Sequence, residues 1–113
     1  MEDCIFCKLA NGEIPTEMVY QDGLCACFRD AAPQAPVHLL LVPKVHIQSL
    51  NQLDVQESEL MGHMMLKIKD IAAKEGLENG YRVVINTGAD GGQTVPHLHM
   101  HILGKRSLQW PPG

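Results

Sequence analysis

The chain has 113 residues, 45% of them hydrophobic, with nine Lys and Arg against thirteen Asp and Glu for a formal net charge of −4. That supports one domain over residues 1–113 with a real core and excludes disorder, and the acidic balance excludes a nonspecific nucleic-acid binder, which is normally basic. No apolar run approaches the ~20 residues that cross a bilayer, and Met1-Glu2-Asp3 lacks the basic start of a secretory leader, so the expected location is the cytoplasm, with no membrane partner.

In chain order, Cys4 to Gly12 reads as a short helix with Asp3 as its N-cap and Gly12 as its stop. Glu17 to Gln21 and Leu24 to Arg29 alternate as strands, joined at Asp22-Gly23, where Gly23 is expected to take a positive φ. Asp30 to Pro36 is a connection, and His38 to Val42 is a central strand ending at Pro43. Asp54 followed by Glu57 forms the pattern of a capping box that opens a long helix. Its apolar face is Leu60, Met61, Met64, Met65, Ile68, Ile71 and Ala72, and Gly76 ends it; His63 is given no role. Tyr81 to Thr87 and His97 to Leu103 complete the strands. The pattern predicts an α+β fold, an antiparallel sheet of about five strands with one long and one short helix.

The chemistry concentrates in Thr94-Val95-Pro96-His97-Leu98-His99-Met100-His101-Ile102-Leu103, where histidine falls at every second position. In an extended chain His97, His99 and His101 share one face. Alternate histidines on a strand suit a metal site, or a nucleophilic imidazole whose neighbours hold its tautomer and bind an anion. An imidazole of ordinary pKa near 6.5 is roughly three-quarters neutral at pH 7 and able to attack phosphorus. Gly88 to Pro96 is longer than a tight hairpin needs, and its adjacent glycines let backbone N–H groups approach phosphate oxygens beside Thr94. The Cys4-x-x-Cys7 pair is half a zinc site or two buried thiols, and Cys25 and Cys27 share one strand face as core or edge thiols. Four cysteines in a cytosolic chain are read as thiols or ligands rather than disulfides.

His97-Leu98-His99-Met100-His101-Ile102-Leu103 resembles the His-x-His-x-His signature of the histidine triad family. Gly91-Gly92-Gln93-Thr94-Val95, the run Ala35 to Lys44, and the tail Trp110-Pro111-Pro112-Gly113 are similar to its nucleotide-binding (Hint) branch. The resemblance implies a symmetric homodimer, with the sheet extended across it, and a hydrolase that cleaves P–N bonds of purine nucleoside phosphoramidates. It implies that His99 attacks the α-phosphorus to form a nucleotidyl-histidine, with His97, His101 and His38 in support and no metal required for catalysis. The phosphate contacts it implies are Asn86, Thr94, His101 and the backbone of Gly92, Gln93, Thr94 and Val95. Asp30 is placed at the ribose, and Ile5, Phe6, Leu9, Phe28 and Ala31 around a base of the AMP or GMP type. Some bacterial relatives hold structural zinc with residues placed like Cys4, Cys7, His46 and His97, whereas others lack the cysteines. Trp110 belongs to a tail expected to reach the partner subunit's site. The alternatives are a dinucleoside polyphosphate hydrolase of the other large branch and a noncatalytic nucleotide-binding regulator. Pro96 departs from the family pattern, which more often has a bulky residue there, and alters the rim of the pocket.

Overall fold

The computed structural model describes residues 3–113; the Met1-Glu2 start lies outside them. Two helices, α1 (Ile5–Ala10) and α2 (Ser58–Lys74), accompany five strands, β1 (Met18–Gln21), β2 (Cys25–Arg29), β3 (Val37–Pro43), β4 (Tyr81–Val84) and β5 (Met100–Gly104). They form one antiparallel sheet in the order β1-β2-β3-β5-β4. This is the expected α+β architecture. None of the described helices is long and apolar enough to cross a membrane.

Alternation along the central strands divides the core. Cys25 and Cys27 of β2, Leu39 and Leu41 of β3, and Met100 and Ile102 of β5 pack with Met64, Ile68 and Ile71 of α2. The intervening residues Ala26, Phe28, Leu40 and Val42 pack with Phe6 and Ala10 of α1. Both faces are covered, which is why β3 reads as a continuous apolar run rather than as an alternating one. The predicted capping box is present: Asp54 and Glu57 exchange side chain and backbone hydrogen bonds across a 3-10 turn that runs into α2. Met65 is a correction, since it is exposed on α2 and lies outside the buried face.

Other local expectations change for identifiable reasons. Cys4, not Asp3, caps α1, its Sγ accepting from the Cys7 N–H at 3.4 Å. Gly23 does not take a positive φ. The Asp22 carboxylate does the work of the turn, accepting from the N–H groups of Leu24 and Cys25 at 2.8 and 2.9 Å. Its other oxygen accepts from the Tyr20 hydroxyl and meets His63 Nε2, each at 2.6 Å, so His63 ties α2 to the β1–β2 turn.

β4 ends at Val84 rather than at Thr87. β5 starts at Met100 rather than at His97. Leu41 pairs with Met100, and continuing that register would set Leu98 against Pro43, which has no N–H to give. Leu98 instead donates its N–H to Ile47 O at 2.6 Å. His97, in a bend where its N–H donates to Val95 O at 2.8 Å, and His99 therefore lie on the approach to the strand, outside the ladder.

Candidate active site

The three alternating histidines do not share one environment. His97 is fully buried (0% exposed) and its Nε2 lies 2.9 Å from the Pro43 carbonyl. A carbonyl only accepts, so that nitrogen carries the proton and Nδ1 presents a lone pair. Nδ1 faces the sulfurs of Cys4 and Cys7 at 3.2 and 3.4 Å, and His46 Nδ1 lies 3.4 Å from Cys7 Sγ. The donor atoms of Cys4, Cys7, His46 and His97 all fall within 4.8 Å of one another. Two sulfurs and two imidazole nitrogens fit a tetrahedral zinc, and the Pro43 carbonyl orients His97 as an outer partner of a ligand does. Burial pushes the Cys7 thiol up, so binding a metal would release protons.

His99 is 5% exposed and its Nδ1 lies 2.7 Å from the His97 carbonyl. The same logic puts the proton on Nδ1 and a lone pair on Nε2, which has no protein partner among the described residues. The His101 ring sits 5.0 Å from that of His99. His38, on β3 two residues from the Leu40 that pairs with His101, reaches His101 diagonally. Here donors and acceptors form a directed chain. The Gln34 N–H donates to His38 Nδ1 at 3.0 Å, so Nε2 holds the His38 proton. Nε2–H then donates to His101 Nδ1 at 2.9 Å, leaving the His101 proton on Nε2. Burial, with His99 and His38 beside it, holds His101 at about 4, and burial lowers His38 against the pull of Asp30. Both are neutral at pH 7. The arrangement offers one lone pair and one N–H side by side.

They open into a cavity of about 430 Å³. Ile5, Phe6, Leu9, Phe28, Asp30, Ala31, Thr94 and Val95 line it along with His99 and His101. Phe6 supports the histidines directly, its ring edge-on to Phe28 at 5.8 Å and to His99 at 4.9 Å. Asp30 is held by its own loop, Oδ1 accepting from the Ala32 N–H at 2.8 Å, while Oδ2 lies 3.4 Å from His38 Nε2.

The remaining predicted residues lie outside the lining. The Gln93 side chain ties its loop to the segment after β3, donating to Gln48 O and Val95 O at 2.8 and 3.0 Å and accepting from the Gly88 N–H at 3.0 Å. Asn86 likewise donates to Gly91 O at 2.7 Å. Gly92 has φ +80°, and a Cβ on Gly91 would stand 2.3 Å from Thr87 O, so this turn is shaped by glycine. Trp110 is 84% exposed, and the tail around it is held by Arg82, which donates to Gln109 O and Pro112 O.

Pro15, Thr16, Arg29 and Leu40 line the cavity although none was picked out. Leu40 was accessible by alternation, being two residues from His38 on the same face; Pro15 and Thr16 carry no local signal. A cavity of about 470 Å³ beyond the end of β5, bordered by Lys105, Arg106 and Ser107, contains none of the predicted site residues.

Comparison with known proteins gives a consistent picture. The HIT domain profile matches residues 11–108. An uncharacterized HIT-like protein of Synechococcus elongatus is 58% identical over 112 residues, spanning 99% of this chain and 98% of its own. Protein HitA of Neisseria gonorrhoeae is 53% identical over 104 residues, spanning 92% of this chain and 97% of its own. A HIT family hydrolase from Legionella pneumophila superposes with a TM-score of 0.95 at 48% identity, covering 98% of this chain and all of that one (100%). A histidine triad protein from Clostridium difficile gives 0.93 at 46% identity, covering 96% of each chain.

Proposed function

This chain belongs to the HIT domain family, and from that premise we propose that it is a nucleotide-binding hydrolase of the Hint type, cleaving P–N bonds of purine nucleoside phosphoramidates. The observation that carries this reading is the His99 tautomer: with Nδ1–H donated to the His97 carbonyl, Nε2 is left as a nucleophile at the wall of the cavity. In the first step the Nε2 lone pair forms a bond to the α-phosphorus as the P–N bond to the amine breaks, and the departing nitrogen takes up a proton. In the second, water attacks phosphorus, the bond to His99 breaks, a proton returns to solvent, and the nucleoside monophosphate leaves. The His101 Nε2–H donates to the phosphoryl oxygen as charge develops on it. Thr94 and Val95 flank the same cavity, with Asp30 available to two ribose hydroxyls and the Ile5, Phe6, Leu9 and Phe28 walls to the base. Such walls contribute area rather than edge hydrogen bonds, which suits purines and selects weakly between them.

Cys4, Cys7, His46 and His97 would hold a structural zinc, and His99 stays free of it. About one zinc per chain after purification without chelator supports this, and less than about 0.1 rules it out. The protein is taken to act in the cytoplasm as a homodimer, which a mass measurement in solution tests.

The deciding experiment is AMP release from adenosine phosphoramidate at pH 7, with and without chelator, by the wild type and by His99→Ala. Turnover that survives chelation and falls at least ~10³-fold in the variant supports a histidine nucleophile. Equal rates in both proteins overturn it. Faster turnover of dinucleoside polyphosphates than of phosphoramidates would move the chain to the other large branch.

A further inference from the structure

On the reading of His99 and His101 as the reacting pair, we propose that Arg106 is a positioning residue for them. Its guanidinium holds the Gln34 segment whose backbone N–H sets the tautomer of His38 and, through it, that of His101. Arg106 Nε donates to Gln34 O at 2.9 Å. Gln34 N–H donates to His38 Nδ1 at 3.0 Å, and His38 Nε2–H to His101 Nδ1 at 2.9 Å. Arg106 thus stands at the exposed start of a chain of hydrogen bonds that ends at the N–H facing the substrate.

The need for that anchor follows from the loop between β2 and β3. Ala31 to Gln34 are exposed. The loop's other hydrogen bonds stay local: Ala32 N–H to Asp30, Gln34 Nε2 to Ala32 O, and Asp30 N–H to His38 O. Among the described residues, Arg106 supplies the hydrogen bond that reaches this loop from another part of the chain. Arg106 follows Lys105, whose φ of 69° is a left-handed backbone unusual for a residue with a side chain. Such a conformation persists where its surroundings hold it, and it turns the chain sharply after β5.

The groups facing His38 are His101 and the Asp30 carboxylate, both on the Nε2 side. With Gln34 in place, Nδ1 is occupied by a donor and cannot take a proton. Released, His38 can carry its proton on Nδ1 and turn an acceptor toward His101, whose own proton then shifts to Nδ1 and away from the substrate.

The test compares Arg106→Ala and Arg106→Lys with the wild type. Nitrogen-15 imidazole spectra of the whole protein should show His38 and His101 protonated on Nε2 in the wild type, and a mixture of His38 tautomers in Arg106→Ala. On adenosine phosphoramidate, kcat should fall about tenfold with KM within about twofold, less than the 10²-fold that a 1 Å misplacement can cost. Arg106→Lys, which restores a donor, should recover most of both. An unchanged His38 tautomer in Arg106→Ala overturns the proposal whatever the rate. A wild type that turns over no phosphoramidate overturns the reading of the reaction instead, and the spectra still decide the Arg106 step.

Discussion

The two faces of the sheet are built from the same strands and do different work. On the α2 face, Cys25, Cys27, Leu39, Leu41, Met100 and Ile102 close against the helix as an apolar layer. On the α1 face the alternate residues supply a smaller apolar cluster around Phe6 and Phe28. Beside that cluster sit His38 and His101, joined by a hydrogen bond, and His99, whose ring stands 5.0 Å from that of His101; His99 and His101 face the cavity. A shift of one residue in strand register would exchange the two sets. Deep packing on one side thus fixes the register that aims His38 and His101 on the other.

Mutations on the two faces should therefore separate activity from stability. His99→Ala is expected to lose at least ~10³-fold in turnover, about 4 kcal/mol of transition-state stabilisation, while its denaturant midpoint stays near the wild-type value. Leu41→Ala should show the reverse, losing about 3 kcal/mol in urea unfolding with kcat intact at a temperature where the variant is folded. A Leu41→Ala protein that stays folded but loses its turnover would show that the faces are not separable. Gly91→Ala, which forces a Cβ against Thr87 O, should cost about 2 kcal/mol of stability as the turn shifts. It should also raise KM, through the displaced Thr94. Asp30→Asn should raise KM about tenfold, in line with losing a charge-assisted hydrogen bond, with a smaller change in kcat.

What could be read beforehand follows the same division. Strand alternation, the Asp54–Glu57 capping box and the helical spacing of Met64, Ile68 and Ile71 are local patterns, and the fold preserves them. From alternation alone His97 is not separable from His99 and His101, because what sets it apart, the sulfurs of Cys4 and Cys7 and the Pro43 carbonyl, comes from distant parts of the chain. The Asp22 carboxylate, a strong acceptor, takes over the turn that Gly23 was expected to shape, whereas the α1 cap falls to Cys4 Sγ, a weak acceptor, because the helix starts one residue later than the Asp3 cap requires. The resemblance places the backbone N–H groups of Gly92 and Gln93 at the phosphate, and here they donate to Ala89 O and Gly88 O, each at 3.1 Å, within a turn that the residue order alone does not display. Pro15 and Thr16 line the cavity through chain path alone, which no short-range pattern encodes.

Acid titration offers the finest test of the comparison, because each face holds a shifted group with its own window. His101 on the α1 face is held at about 4 by burial, below its ordinary 6.5. Between those values the unfolded chain binds more protons than the folded one, so stability falls as pH drops from about 6.5 to about 4. His38 and His97, lowered by the same burial, add to this slope. On the other face burial would raise the Asp22 carboxyl, but bonds from Tyr20, Leu24, His63 and Cys25 outweigh it and hold the group well below the usual carboxylate range. Its contribution is present above the unfolded value near 3.9 and is lost as pH falls below it. After allowance for partial exposure, each group is worth about 1 kcal/mol. Urea midpoints measured from pH 7 to pH 3 should therefore fall in two stages. His101→Asn should flatten the upper stage and Asp22→Asn the lower, and a variant that flattens the wrong stage would reverse the assignment of the two faces.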